Sequence, residues 1–220
     1  LGPMGVATYD TSDDIEYTSI SEAATAGWSL TDKVCNTTYG TCTSWGSPAG
    51  FTIVADDDTT ALGPEDGEFE MYYSGGSTET VTPTLNFADA ESDLKLTLKH
   101  RYNFDYYSGM STAYNGGQVL ISTDDGDNWE LFTPEGGYPG TMYNYAFYAN
   151  PLYNQAGFVH CGDCSGVSGT ASDNEDKYIE TVFDMADYVG ETEVKLKFQV
   201  GMYRYQYPGD GEHWYIDSLA

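Results

Sequence analysis

Residues 94–102 alternate with a period of two. Leu94, Leu96, Leu98, His100 and Tyr102 fall on one side, and Lys95, Thr97, Lys99 and Arg101 on the other. The pattern recurs at 194–202, where Val194, Leu196, Phe198, Val200 and Met202 oppose Lys195, Lys197, Gln199 and Gly201. Successive side chains of a strand point to opposite faces, so this alternation predicts strands with one face buried and one wet. Gln118-Val119-Leu120-Ile121 is apolar on both sides and predicts a central strand, and Trp214 to Leu219 predicts one more. Each segment is short and bounded by Gly, Pro, Asn or Asp, the signature of an all-β antiparallel sandwich.

Helix is scarce. Ser19 to Ala26 and Phe183 to Val189 each predict one short turn. There is no internal repeat and no linker long enough to divide the chain, so 1–220 reads as one domain with a lead-in segment at 1–12. Residues 133–176 form a long aromatic and polar insertion with few strand signals, and insertions of that length are often functional. The chain stops one residue after Leu219, which is expected of one module cut from a larger polypeptide or of a matured subunit.

Charge narrows the partners. There are 35 acidic and 8 basic residues, a formal net charge of −27. That surface repels nucleic-acid phosphates and anionic membranes, so no nucleic acid partner is expected. No apolar run is long enough for membrane insertion. Cation binding, adaptation to high salt and plain solubility all remain open as reasons for the acidity.

The four cysteines occur as two close pairs, Cys35 with Cys42 and Cys161 with Cys164. An even count in such a chain points to disulfides and an oxidising, extracellular setting. Of the three possible connectivities, local pairing within each close pair is expected. A redox Cys-x-x-Cys lacks its βαβ setting, and a four-thiolate zinc site needs the pairs to converge across most of the chain. Asn36-Thr37-Thr38 fits a glycosylation sequon, a sign of surface exposure.

Between two apolar runs lies Ser122-Thr123-Asp124-Asp125-Gly126-Asp127-Asn128-Trp129. Asp can bond backbone amides two residues on, Gly tolerates positive φ, and Trp129 can fold back over the turn. Ser122, Asp124, Gly126 and Trp129 resemble an Asp-box, a hairpin brace known from sialidases and many secreted β-proteins. Its role is structural. A sialidase-type propeller carries several copies, and this chain has one.

A wider resemblance follows the chain order. It runs through His100 to Asp105, Tyr114 to Trp129, Asn150-Pro151-Leu152, Ala156-Gly157-Phe158, Val182 to Gly190, Val194 to Phe198 and Trp214-Tyr215-Ile216-Asp217. These segments resemble the MAM-like jelly-roll domain appended to secreted bacterial proteases of the immune-inhibitor-A type and to other large surface proteins. The resemblance implies a two-sheet jelly roll, often with structural calcium, and no catalytic activity of its own. Ser218 stands where the usual ending has a second acid, which removes one potential calcium ligand.

Calcium takes six to eight oxygens, supplied by flexible Asp-rich loops. The candidates are Asp56, Asp57, Asp58, Asp105 and Asp217. Histidines are poor catalytic candidates: His100 lies on an apolar face, and His160 and His213 lie near turns. There is no nucleophile elbow and no zinc-protease helix. Paired carboxylates serve glycosidases, and the mark of a working pair is one carboxyl in an apolar pocket. Three Tyr-rich stretches remain, carrying Tyr106, Tyr107, Tyr143, Tyr145, Tyr203 and Tyr205. They suit a platform for sugar rings or a self-association surface. The expectation is a non-catalytic, calcium-stabilised extracellular module that packs against other modules or like subunits. The alternatives are a carbohydrate-binding module for extracellular glycans and a subunit of a surface filament or array.

Overall fold

The two alternating segments become long strands of two different sheets. A computed structural model of the chain describes residues 17, 19–35, 51–56, 59–64, 76–104, 112–142, 150–160, 177–202 and 213–220. A short helix, α1 (Ile20–Thr25), comes first. The strands follow as β1 (Ser29–Cys35), β2 (Phe51–Asp56), β3 (Thr59–Pro64), β4 (Gly76–Val81), β5 (Lys95–Asn103) and β6 (Thr112–Ala113). Then come β7 (Gly116–Ser122), β8 (Glu130–Phe132), β9 (Gly140–Met142), β10 (Ala156–Gly157), β11 (Ile179–Asp184), β12 (Lys195–Met202) and β13 (His213–Leu219).

One five-stranded sheet has the order β1-β4-β12-β7-β8, and the other β11-β5-β13-β3-β2. Every pairing within them is antiparallel. The fold is therefore the all-β two-sheet sandwich that the alternation predicts. The inward residues of β5 (Leu96, Leu98, His100, Tyr102) face those of β12 (Leu196, Phe198, Val200, Met202) across one core, and all eight are buried. Burying a Leu, Val or Phe side chain stabilises by about 1.5–3 kcal/mol. Trp214 of β13 sits in the middle, with ring centroids 5.9 Å from Phe198, 5.7 Å from Phe158 and 6.3 Å from Phe51. β13 is thus a central strand, paired on both sides by β5 and β3.

The helix begins where the Ser19 hydroxyl accepts from the Glu22 amide at 3.3 Å, a standard N-cap. Ala23 of α1 and Trp28 just after it are buried, and Trp28 stacks on Phe198 at 6.4 Å. The second expected turn is a single 3-10 turn at Ala186–Tyr188, because Phe183 and Asp184 belong to β11. Asp184 starts it by accepting from the Ala186 amide at 2.9 Å.

The 133–176 insertion holds more order than its sequence predicts. β9 and β10 lie within it and join β6 in a small third sheet, in which β6 and β9 run parallel. Strands of two or three residues are too short to display alternation. Ala113, Met142, Leu152 and Val159 form a second, smaller core beneath them.

The turn from β7 to β8 is tied by side chains. The Ser122 hydroxyl donates to Asp124 Oδ1 at 2.7 Å and accepts from the Gly126 amide at 2.9 Å. Asp124 accepts from the Asn128 amide at 2.9 Å and from its Nδ2 at 2.6 Å. The Asn128 side chain, then its amide, then Ser122 pull the Asp124 carboxyl down to about 2. Gly126 has φ 100°, and a Cβ there would approach the Trp129 ring at 3.3 Å. Asp125 (φ 56°) anchors the turn to the neighbouring strand through Lys195 Nζ at 2.8 Å and accepts from the Thr84 hydroxyl at 2.7 Å.

Candidate functional site

β8 ends one sheet and β11 ends the other, and the segment Pro134 to Pro139 spans between them. Proline and glycine keep this segment out of both ladders. The Glu135 amide donates to the Val182 carbonyl of β11 at 2.8 Å. At the other end the Tyr138 hydroxyl donates to the Phe132 carbonyl at 2.6 Å and accepts from the Val119 amide at 2.9 Å. The Tyr138 ring meets Phe158 edge-on at 5.0 Å. Burial pushes the phenols of Tyr138 and Tyr102 up, so both stay neutral.

Between the loop and β11 lies a groove of about 420 Å³. Tyr102, Tyr138 and Phe158 give it aromatic walls, and Glu135, Glu180 and Thr181 give it polar ones. Glu135 Oε1 meets Lys95 Nζ at 2.6 Å in an exposed ion pair. Thr181 Oγ1 lies 2.8 Å from His100 Nε2, and His100 Nδ1 accepts from Trp214 Nε1–H at 2.9 Å. Aromatic walls with a few placed polar groups are the usual make-up of a small-molecule site.

Two other depressions differ in character. A pit of about 350 Å³ between the sheet ends is lined mainly by apolar side chains, among them Trp28, Leu85, Phe87 and Met185. A notch of about 190 Å³ lies beside Ser122, Asp124, Asn128 and Trp129. On the outward face of the first sheet, Lys197 sits 4.3 Å from the centre of the Trp129 ring and 3.5 Å from Glu79.

Of the five proposed calcium ligands, Asp217 is the one with a described side chain. It is the extra residue of a bulge in β13 opposite Lys99, and its Oδ2 lies 2.7 Å from Lys99 Nζ. Lys99 thus engages one of the two carboxylate oxygens of Asp217. Among the described residues no three His, Cys, Asp or Glu gather closely enough to hold an ion. Asp56 ends β2, where only the backbone is described, and Asp57, Asp58 and Asp105 lie outside the described residues. Cys35 likewise ends β1 as backbone, while Cys42, Cys161, Cys164, Asn36 and all six candidate tyrosines (Tyr106, Tyr107, Tyr143, Tyr145, Tyr203, Tyr205) lie outside.

The histidines are built into the fold. His100 is fully buried with both ring nitrogens engaged, and burial pushes it down to about 3. His213 stacks on Tyr215 at 4.8 Å and accepts from Arg101 Nε at 3.4 Å. His160 takes a left-handed backbone conformation, φ 63°, and its carbonyl accepts from the Phe104 amide. Sequence reasoning did not single out Glu135, Tyr138, Glu180 or Thr181. Tyr138 opens a Tyr-rich stretch, but nothing local indicates that its ring will face a strand from the other sheet.

No protein-family model and no curated protein matches the sequence. Among solved structures, the chain is similar to CBM27-1, a carbohydrate-binding module of Caldicellulosiruptor saccharolyticus determined in complex with mannohexaose. Identity is 14%, the TM-score is 0.41, and the match covers 80% of this chain and 86% of that one. At that level the likeness carries no argument about ligands.

Proposed function

We propose that this sandwich is a non-catalytic saccharide-binding module of an extracellular protein, and that the groove beside β11 takes a neutral sugar. One observation carries the reading. The Tyr138 hydroxyl is held by β7 and β8, which fixes its ring as the wall of a groove that also holds two carboxylates. Sugar CH faces suit aromatic rings, and sugar hydroxyls donate to carboxylates. Lys95 holds Glu135 Oε1, and Oε2, with no partner among the described residues, can accept from a ligand. The net charge of −27 disfavours uronate or sulfated polymers.

Two features favour binding over catalysis. The Glu135 side chain is 44% exposed and ion-paired, unlike a general acid sealed in an apolar pocket. The His100 imidazole is occupied at both nitrogens. Kinship with MAM-like jelly rolls, calcium and disulfide bracing, and packing beside other modules or like subunits belong to the same proposal. The calcium part rests on Asp56, Asp57, Asp58, Asp105 and Asp217, the last already engaged by Lys99 at one oxygen.

Affinity electrophoresis tests the reading. The native protein is expected to be retarded in gels containing a neutral glucan or mannan and not in gels containing polygalacturonate. E180A, altered at an exposed residue, is expected to run freely. Equal mobility of the native protein in every gel contradicts the proposal.

A further inference from the structure

An indole N–H can only donate. Trp214 Nε1 lies 2.9 Å from His100 Nδ1, so Nδ1 is the acceptor and carries no proton. The imidazole is fully buried and therefore neutral, as its strong downward shift by desolvation agrees. A neutral imidazole with a bare Nδ1 holds its proton on Nε2. That Nε2–H donates to Thr181 Oγ1 at 2.8 Å. The hydroxyl of Thr181 has accepted, and its own proton has no acceptor among the described residues. Thr181 is half-buried and lines the groove.

We propose that Thr181 is a further sugar-binding residue of the groove, a hydroxyl that accepts from His100 and donates its own proton to an oxygen of the bound sugar. This rests on the saccharide reading above. A lone threonine hydroxyl can donate or accept as its partner requires. Here one lone pair is taken from the core outward, through one donor-only group and one locked tautomer, and the hydroxyl keeps its proton and a second lone pair. A ring, glycosidic or hydroxyl oxygen of the ligand can take that proton. The class this suits is a neutral hexose unit.

The test joins a spectroscopic and a binding measurement on the whole chain. Long-range nitrogen–proton NMR of the imidazoles is expected to show His100 as the neutral Nε2–H tautomer. Calorimetry with gluco-, manno- and galacto-hexaoses compares native protein with T181S and T181V. Losing one hydrogen bond corresponds to roughly tenfold in affinity. T181V is expected to bind the best hexaose about tenfold more weakly, and T181S within about threefold of native. T181V leaves the His100 Nε2–H without an acceptor, so T181C serves as a second variant. Its thiol donates poorly, and the same loss is expected. A His100 carrying its proton on Nδ1 overturns the inference, and so does native affinity in T181V or T181C. If no hexaose binds the native protein, the saccharide reading itself falls and takes this inference with it.

Discussion

The backbone of Gly117 lies directly against the indole of Trp214: a Cβ on Gly117 would stand 2.5 Å from Trp214 Cε3. The contact joins the two sheets at the centre of the core, since Gly117 is in β7 and Trp214 in β13. It also constrains the groove, because Trp214 is the first donor of the chain that ends at Thr181.

G117A is therefore expected to destabilise the fold. Backbone opposes backbone-anchored ring here, and neither is the free end of a flexible side chain. Overpacking of this kind costs about 1–3 kcal/mol. Urea unfolding measures it as a lowered midpoint with an unchanged slope, and a native midpoint contradicts the packing described.

Ser122 ties the β7–β8 turn by accepting from the Gly126 amide at 2.9 Å and donating to Asp124 Oδ1 at 2.7 Å. It is 2% exposed, so S122A leaves inner turn groups without a partner. The expected loss is about 1–2 kcal/mol, read from thermal or urea melts. Saccharide affinity is expected to stay at the native level, because the turn is not among the groove's lining.

His100 sets a pH dependence. Its folded-state value falls from 6.5 to about 3, because burial disfavours the cation. Between those values the unfolded chain binds a proton that the native one refuses, so stability rises with pH. The contribution is whole above about pH 6.5 and is lost as the pH falls toward 3, at up to about 1.4 kcal/mol per unit. Titrating carboxylates add their own slope, so the informative quantity is a difference. H100Q is expected to show a shallower fall in stability than native protein between pH 6 and pH 4. Parallel curves would count against a buried neutral imidazole.

Calcium and disulfide bracing make separable expectations. Excess chelator at fixed ionic strength is expected to lower the melting temperature if Asp56, Asp57, Asp58, Asp105 and Asp217 share an ion. Reductant is expected to lower it independently through Cys35–Cys42 and Cys161–Cys164. Melting curves indifferent to chelator contradict the calcium proposal.

The long strands were readable because β5 and β12 each bury one full alternating face, Leu96 to Tyr102 and Leu196 to Met202. The Ser122 to Trp129 turn was readable because its bonds are local, spanning two to four residues. The third sheet was not, since β10 has two residues and β6 pairs with β9 in parallel. The groove was hidden for a topological reason. Tyr138 and Thr181 come from distant parts of the chain, and they approach only because the 133–139 segment crosses from one sheet edge to the other.

Mapping amide shifts by NMR while a neutral hexaose is titrated into the native protein tests the saccharide groove most directly. The expected result is a set of perturbed amides at 135–138 and 180–182, with Glu79, Trp129 and Lys197 on the outward face unmoved. Perturbations centred on that outward face, or none with any hexaose, would contradict the account.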